Sequence, residues 1–190
     1  ADCLETLEEI AIEVRELRQT VLEEQHTDEQ SFAKVSKRVE TLRTKLQLAR
    51  EEALRDPLTR IANRGGFDRT IRNWVDQRKP FVLAMMDVDH FKTINDTHGH
   101  RVGDSVLLCV AQWVGENLRT VDVLARYGGD EFTVLLSDLD LKVAERRFST
   151  TLADLASRSY IYPSGAEKRI VKFTMSCGLA QFGPGDTVET

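Results

Sequence analysis

The sequence predicts an α/β domain, with helices packed on a central sheet, preceded by a region that is helical throughout. Three observations carry this. Residues 1–55 contain neither glycine nor proline, and their apolar residues recur at alternating spacings of three and four. Beyond Asp56-Pro57, short apolar runs alternate with longer amphipathic stretches, the pattern of strands mixed with helices. Between two of those runs stands Gly128-Gly129, a hairpin signal.

In the helical region one apolar series runs Cys3, Leu7, Ile10, Val14, Leu17, Val21, and a second runs Phe32, Val35, Val39, Leu42, Leu46, Ala49, Ala53. Each fits a helix–helix seam, and the two are out of phase, with the break near Gln25-His26. Thr27-Asp28-Glu29-Gln30 reads as a capping box there. Residues 1–25 carry eight acids and two bases, whereas residues 31–55 carry seven bases and three acids. In a parallel pairing of the second series, Arg38 faces Arg43 of the other helix and Lys45 faces Arg50, which repels. An acidic first helix folded back on a basic second one relieves this, so a helical hairpin is predicted. The alternative is one long helix with a stutter near His26.

Asp56-Pro57 ends the helical region, because the residue before a proline disfavours helical backbone. The pattern then predicts a helix over 66–78, a strand over 81–87 and a short helix over 91–97. A longer helix follows over 104–118, with Asp104 suited to cap it. Hairpin strands are predicted over 122–127 and 131–136, a helix over 141–157 and a strand over 169–182.

Composition bounds the function. The 190 residues allow one domain plus an appendage, and a hydrophobic content of 41% supports a core. A net charge of −5 and a pI near 5.5 argue against non-specific nucleic-acid binding, which wants a basic face. No apolar stretch approaches the roughly 20 residues that span a bilayer, and no signal peptide is visible. A cytoplasmic location is expected. The chain opens without methionine inside a helical pattern and reads as a fragment, compatible with an upstream sensor or membrane segment. Cys3, Cys109 and Cys177 lack metal-ligand spacing and read as reduced thiols, the latter two in the core.

The chemistry concentrates at two places. Phe81-Val-Leu-Ala-Met-Met-Asp87 is an apolar run ending in an acid, which is how a buried strand delivers a carboxylate to a sheet edge. The Gly-Gly turn is followed by Asp130 and Glu131. Paired acids on a rigid hairpin suit a hard divalent cation and a phosphate substrate. Asp89 fits a cap for the helix opening near Phe91. That helix end, His90-Phe91-Lys92, offers free N–H groups and a lysine to phosphate.

Taken together, Asp56-Pro57-Leu58-Thr59, Asn63-Arg64, the segment Asp87 to Asp96 with Gly99-His100 and Gly103-Asp104, and Arg126-Tyr-Gly-Gly-Asp-Glu-Phe132 resemble the GGDEF domain family, the diguanylate cyclases. The resemblance runs from Asp56 to about Phe182. It implies a five-stranded, mostly antiparallel sheet and an enzyme that joins two GTP molecules into cyclic di-GMP, releasing two pyrophosphates. It further implies residues 1–55 as a dimerisation and regulatory region, coiled-coil or hairpin, and 56–190 as the catalytic domain.

The resemblance carries over residue by residue. Asp87, the Val88 carbonyl, Asp130 and Glu131 become ligands of Mg²⁺ (or Mn²⁺). Asp130 or Glu131 is the acceptor of the 3′-hydroxyl proton, unless a metal ion acidifies that hydroxyl directly. His90, Phe91, Lys92 and Gly128 become substrate contacts. Asn95 and Asp104 become the readers of guanine. Arg119 and Asp122 match an inhibitory RxxD site for the product. Expected partners are GTP, cyclic di-GMP, a second copy of the chain and a regulatory protein on the N-terminal helices. The alternative is a catalytically silent receptor for cyclic di-GMP. The family's final helix, with a lysine and an arginine on the triphosphate, is expected beyond residue 190.

Overall fold

Asp2–Ala53 forms a single α-helix, α1. The structure, a computed structural model, describes residues 2–164, 167–183 and 185–187, and within α1 the side chains of 13–19, 32 and 34 onward. The predicted fold-back near Gln25-His26 is not formed, so the hairpin is corrected to the long-helix alternative. With no glycine or proline to break it, the only stop signals were Ser, Thr, Asp and His residues, each costing a helix interior only about 0.5 kcal/mol. The side chains of the Thr27–Gln30 capping box, and those of Cys3, Leu7, Ile10 and Val21, lie outside the described residues. Among the described ones, Val35, Val39, Leu42 and Leu46 form an exposed stripe.

The chain divides into two compact units, residues 1–52 and 53–190. The second contains β1 (Ala62–Asn63), α2 (Arg64–Asp76), β2 (Phe81–Val88), α3 (Phe91–His98) and α4 (His100–Glu116). It continues with β3 (Val123–Arg126), β4 (Glu131–Ser137), α5 (Leu141–Ser157), β5 (Tyr160–Ser164), β6 (Glu167–Val171) and β7 (Met175–Gln181). Five strands make one sheet in the order β1-β3-β4-β2-β7. Only the β1–β3 pairing is parallel. β5 and β6 form a separate ribbon.

Three differences from the predicted elements have local causes. β1 is two residues long, below what periodicity can detect. The strand expected over 169–182 is two strands, parted at Lys172–Thr174, so that β6 pairs with β5 and β7 joins the sheet. α4 starts at His100 rather than after Asp104, because the chain turns at Gly99, whose φ of 87° suits glycine.

The strand period of two sorts the core. Val82, Ala84, Met86 and Val88 of β2, with Phe132, Val134 and Leu136 of β4, face α4 and α5 through Val106, Leu107, Val110, Phe148 and Leu155. The opposite face holds Phe81, Leu135 and Ala125 against Phe67 and Trp74 of α2. Burying each large side chain contributes roughly 1.5–3 kcal/mol, so the sheet centre is a rigid platform for what lies at its edge.

Candidate active site

The last acid of β2 meets the first acid of β4. Asp87 and Glu131 are directly paired in the antiparallel ladder, which sets their side chains on the same face. The Val88 N–H donates to the Asp130 carbonyl at 3.2 Å, extending the join into the turn. Asp87 and Glu131 are exposed and Asp130 is half-buried. Partial burial, then the charges of Asp130, Glu131 and Asp89, push the Asp87 carboxyl above its ordinary value. Like charges across a ladder are destabilising, and a cation relieves them.

Asp89 is turned to a different task. Its carboxylate accepts from the Ser176 hydroxyl at 2.6 Å and from the Thr174 hydroxyl, and these bonds hold its pKa low. It ties the strand end to β7 and does not cap α3. The N-cap is His90, in left-handed backbone (φ 56°) and without a side-chain cap.

Arg126 fixes the turn itself. Its Nε and Nη2 donate to the Gly129 carbonyl at 3.1 and 2.7 Å, and its Nη1 reaches both Asp56 carboxylate oxygens at 3.2 and 3.3 Å. Asp56 also accepts from the Thr59 amide and hydroxyl, each at 2.7 Å. Burial works to raise the Asp56 pKa, but the Thr59 hydrogen bonds and the Arg126 charge outweigh it and hold the carboxyl low. Sequence reasoning read Asp56 only as a helix terminator and part of a motif, and gave Arg126 no role. The available signal was an arginine at the end of the strand that enters the Gly-Gly turn, while its partner Asp56 lies 70 residues away in the chain. Of the two glycines, Gly128 is the constrained one. A side chain there would overlap the Glu131 carboxylate, which folds back over it, whereas Gly129 faces open space.

α3 and α4 present a second cluster. Lys92 and Asp104 are exposed, while Phe91 and Asn95 are half-buried. The Asn95 amide makes no hydrogen bond to any described residue, and Asp104 likewise. The Asn95 amide lies against Gly103, the residue before Asp104, so the two polar groups assigned to base reading share one locality. Asp104 stands inside α4 and does not cap it.

The Arg119–Asp122 pair is asymmetric. The Asp122 side chain is fully buried. It accepts from the Arg119 backbone N–H at 2.9 Å, the Ser137 N–H at 3.2 Å and Arg147 Nη2 at 3.5 Å. The carboxylate is occupied in building its turn, and the Arg119 side chain is the exposed half of the pair.

The oxygen-only donor set of Asp87, Asp130, Glu131 and the Val88 carbonyl is of the hard type that Mg²⁺ takes. Among the described residues no three His, Cys, Asp or Glu side chains are gathered into a ready cage. No helix among the described residues is long and apolar enough to cross a membrane. Cys109 and Cys177 are free and half-buried, and burial pushes the Cys177 thiol up to about 11.

Comparison with known proteins gives the same picture. Residues 53–190 match the family model described as diguanylate cyclase, GGDEF domain. The probable diguanylate cyclase DgcT of Escherichia coli K12 is 45% identical over 102 residues, 53% of this chain and 23% of that protein. The chain spans under half the length of the curated relatives it matches. Among solved structures, the coiled coil and GGDEF domain of DgcB from Caulobacter crescentus, in complex with c-di-GMP, matches with a TM-score of 0.74 and 32% identity. That match covers 84% of this chain and 85% of that one. The diguanylate cyclase SiaD of Pseudomonas aeruginosa, in complex with its activator SiaC, matches with a TM-score of 0.67 and 31% identity, over 93% of this chain and 69% of that one. A family match over most of the chain, on a fold whose strand edges bring the matching acids together, leaves one conclusion: this chain belongs to the GGDEF domain family.

Proposed function

We propose that residues 56–190 act as a diguanylate cyclase, condensing two GTP molecules into cyclic di-GMP and two pyrophosphates. In each half-reaction a 3′-oxygen bonds to the α-phosphorus of the other nucleotide as the bond to the pyrophosphate oxygen breaks. The observation that carries the reading is the pairing of Asp87 with Glu131, stitched to Asp130 by the Val88 N–H. Asp87, Asp130 and Glu131, with the Val88 carbonyl, would hold Mg²⁺ (or Mn²⁺). Bound there, the ion would supply charge neutralisation at the phosphates and lower the pKa of the attacking hydroxyl. Asp130 or Glu131 takes the hydroxyl proton. The free N–H groups at the start of α3, with Lys92 beside them, bind phosphate oxygens. Asp104 accepts from guanine N1–H and N2–H₂, and Asn95 completes the base edge. Adenine has no N1–H, so ATP is rejected.

One domain holds one GTP, so two must face each other. The exposed stripe of Val35, Val39, Leu42 and Leu46 gives α1 a seam for a second copy. Regulation enters in two ways. Product binding is supported by the relative DgcB, bound to c-di-GMP, and the exposed Arg119 of the RxxD pattern is the place assigned to it. Control by a protein partner is supported by the relative SiaD, bound to its activator, and α1 is the surface assigned to it.

The test is turnover of GTP with Mg²⁺ by the full-length protein, with the product identified by chromatography. Asp130→Ala is expected to lower the rate by at least about 10²-fold. Cyclic di-GMP formed by that variant at the unaltered rate overturns the assignment.

A further inference from the structure

The approach of α3 to α4 depends on an absent side chain. Gly103 is buried inside α4, where glycine costs roughly 0.8–1.0 kcal/mol relative to alanine. Its backbone is not in the left-handed region, so conformation does not call for glycine. Space does. A Cβ at 103 would overlap Asn95 Oδ1 outright and stand 3.0 Å from Asn95 Cγ and 3.3 Å from Phe91 Cζ. Asn95 is thus seated in the volume that any other residue at 103 would fill. Its amide has no hydrogen-bond partner among the described residues. Asp104, the next residue along α4, is exposed and likewise unpartnered.

We infer that Gly103 is a positioning residue for substrate specificity: its missing side chain is the seat that holds the Asn95 amide beside Asp104, so that both address one guanine base. This rests on the base-reading roles proposed for Asn95 and Asp104. Alanine at 103 must rotate the amide out of its seat or part the two helices. Either movement separates the two halves of the base reader without touching the carboxylates at Asp87 and Asp130. The substrate should therefore bind less well, while bound substrate reacts at a near-normal rate.

The experiment measures kcat and KM for GTP and for inosine triphosphate, which lacks the 2-amino group. It uses the full-length protein and its Gly103→Ala, Asn95→Ala, Asp104→Ala and Asn95→Ala/Gly103→Ala variants, with Tm read for each. Gly103→Ala is expected to raise the GTP KM roughly 3–10-fold, the worth of one hydrogen bond. It should narrow the preference for GTP over inosine triphosphate and leave kcat within about twofold. In the Asn95→Ala background the overlap with the amide is gone, and only the 3.3 Å approach to Phe91 Cζ remains. There the added methyl should change KM no further, and the double variant should melt above Gly103→Ala. An equal KM penalty for Gly103→Ala with and without the Asn95 amide overturns the inference, as does a fall in kcat at unchanged KM. If Asn95→Ala and Asp104→Ala both leave KM and the base preference unaltered, the base-reading roles themselves fail, and the role of Gly103 falls with them. If those two respond and Gly103→Ala does not, only the role of Gly103 is overturned.

Discussion

Asp87 is held where its charged form is disfavoured. Its proton is bound more tightly in the fold than in the unfolded chain, because partial burial and the charges of Asp130, Glu131 and Asp89 all raise its pKa. A group of that kind loses stability for the fold as pH rises through the interval between its unfolded and folded pKa values, and the loss persists above it. Asp87→Asn removes the charge. Without divalent cation at pH 7 this variant is expected to melt about 1–2 °C above the parent, while losing turnover. The gain should disappear below about pH 4, where the parent carboxyl is protonated. A thermal-melt series against pH reads this, and an unchanged or lower Tm at pH 7 contradicts it.

Asp56 behaves oppositely. Its lowered pKa contributes stability that is present above the ordinary carboxylate value and lost as pH falls through the folded one. Asp56→Asn leaves Arg126 without its charge partner and is expected to cost about 2 kcal/mol. It should also reduce kcat more than KM, because Arg126 holds the Gly129 carbonyl next to Asp130. Chemical denaturation and steady-state rates check both halves.

At the scale of elements, α1 and the sheet were legible to different degrees. The sheet strands β2 and β4 announced themselves through apolar runs bounded by turns, and the acids at their adjoining ends were readable from sequence order. β1 and β5 were not, since two residues, or a run containing Pro163, carry no usable period. Charge asymmetry points to a fold-back in α1, but continuity of helix formers prevails and the helix runs unbroken. The acids at strand ends were legible as strand ends for the same reason the strands were. Asp89 and Asp122 were read amiss, or in part, because the partners that occupy them come from β7, β4 and α5. Such distant pairing has no local signature.

The seam of α1 has its own consequence. In a parallel pair its flanks set Arg38 against Arg43 and Lys45 against Arg50, like charges that salt screens over about 10 Å at 0.1 M. Raising salt from 50 to 500 mM is therefore expected to tighten self-association, and Arg43→Glu to tighten it several-fold by making two opposite-charge pairs. Sedimentation equilibrium decides. A dimer weakened by Arg43→Glu contradicts the parallel seam.

For the whole molecule, the proposed reaction makes catalysis and assembly one problem, since each domain would hold one of the two GTP molecules. Specific activity should rise with protein concentration until the dimer is saturated, and disruption of the seam by Leu42→Lys should lower activity at a given concentration without altering the melting of the second unit. At a single point in that assembly, β2 and the hairpin turn are proposed to share one cation, and the closeness of Asp87 to the turn carries this. The sharing is tested most directly by Mn²⁺ affinity, read by electron paramagnetic resonance in the presence of GTP, for the full-length protein and for Asp87→Asn, Asp130→Asn and the double variant. Each single change is expected to weaken Mn²⁺ binding at least about tenfold, with the double variant little worse than either, as for two ligands of one ion. Mn²⁺ affinity unchanged in both single variants would contradict the shared site.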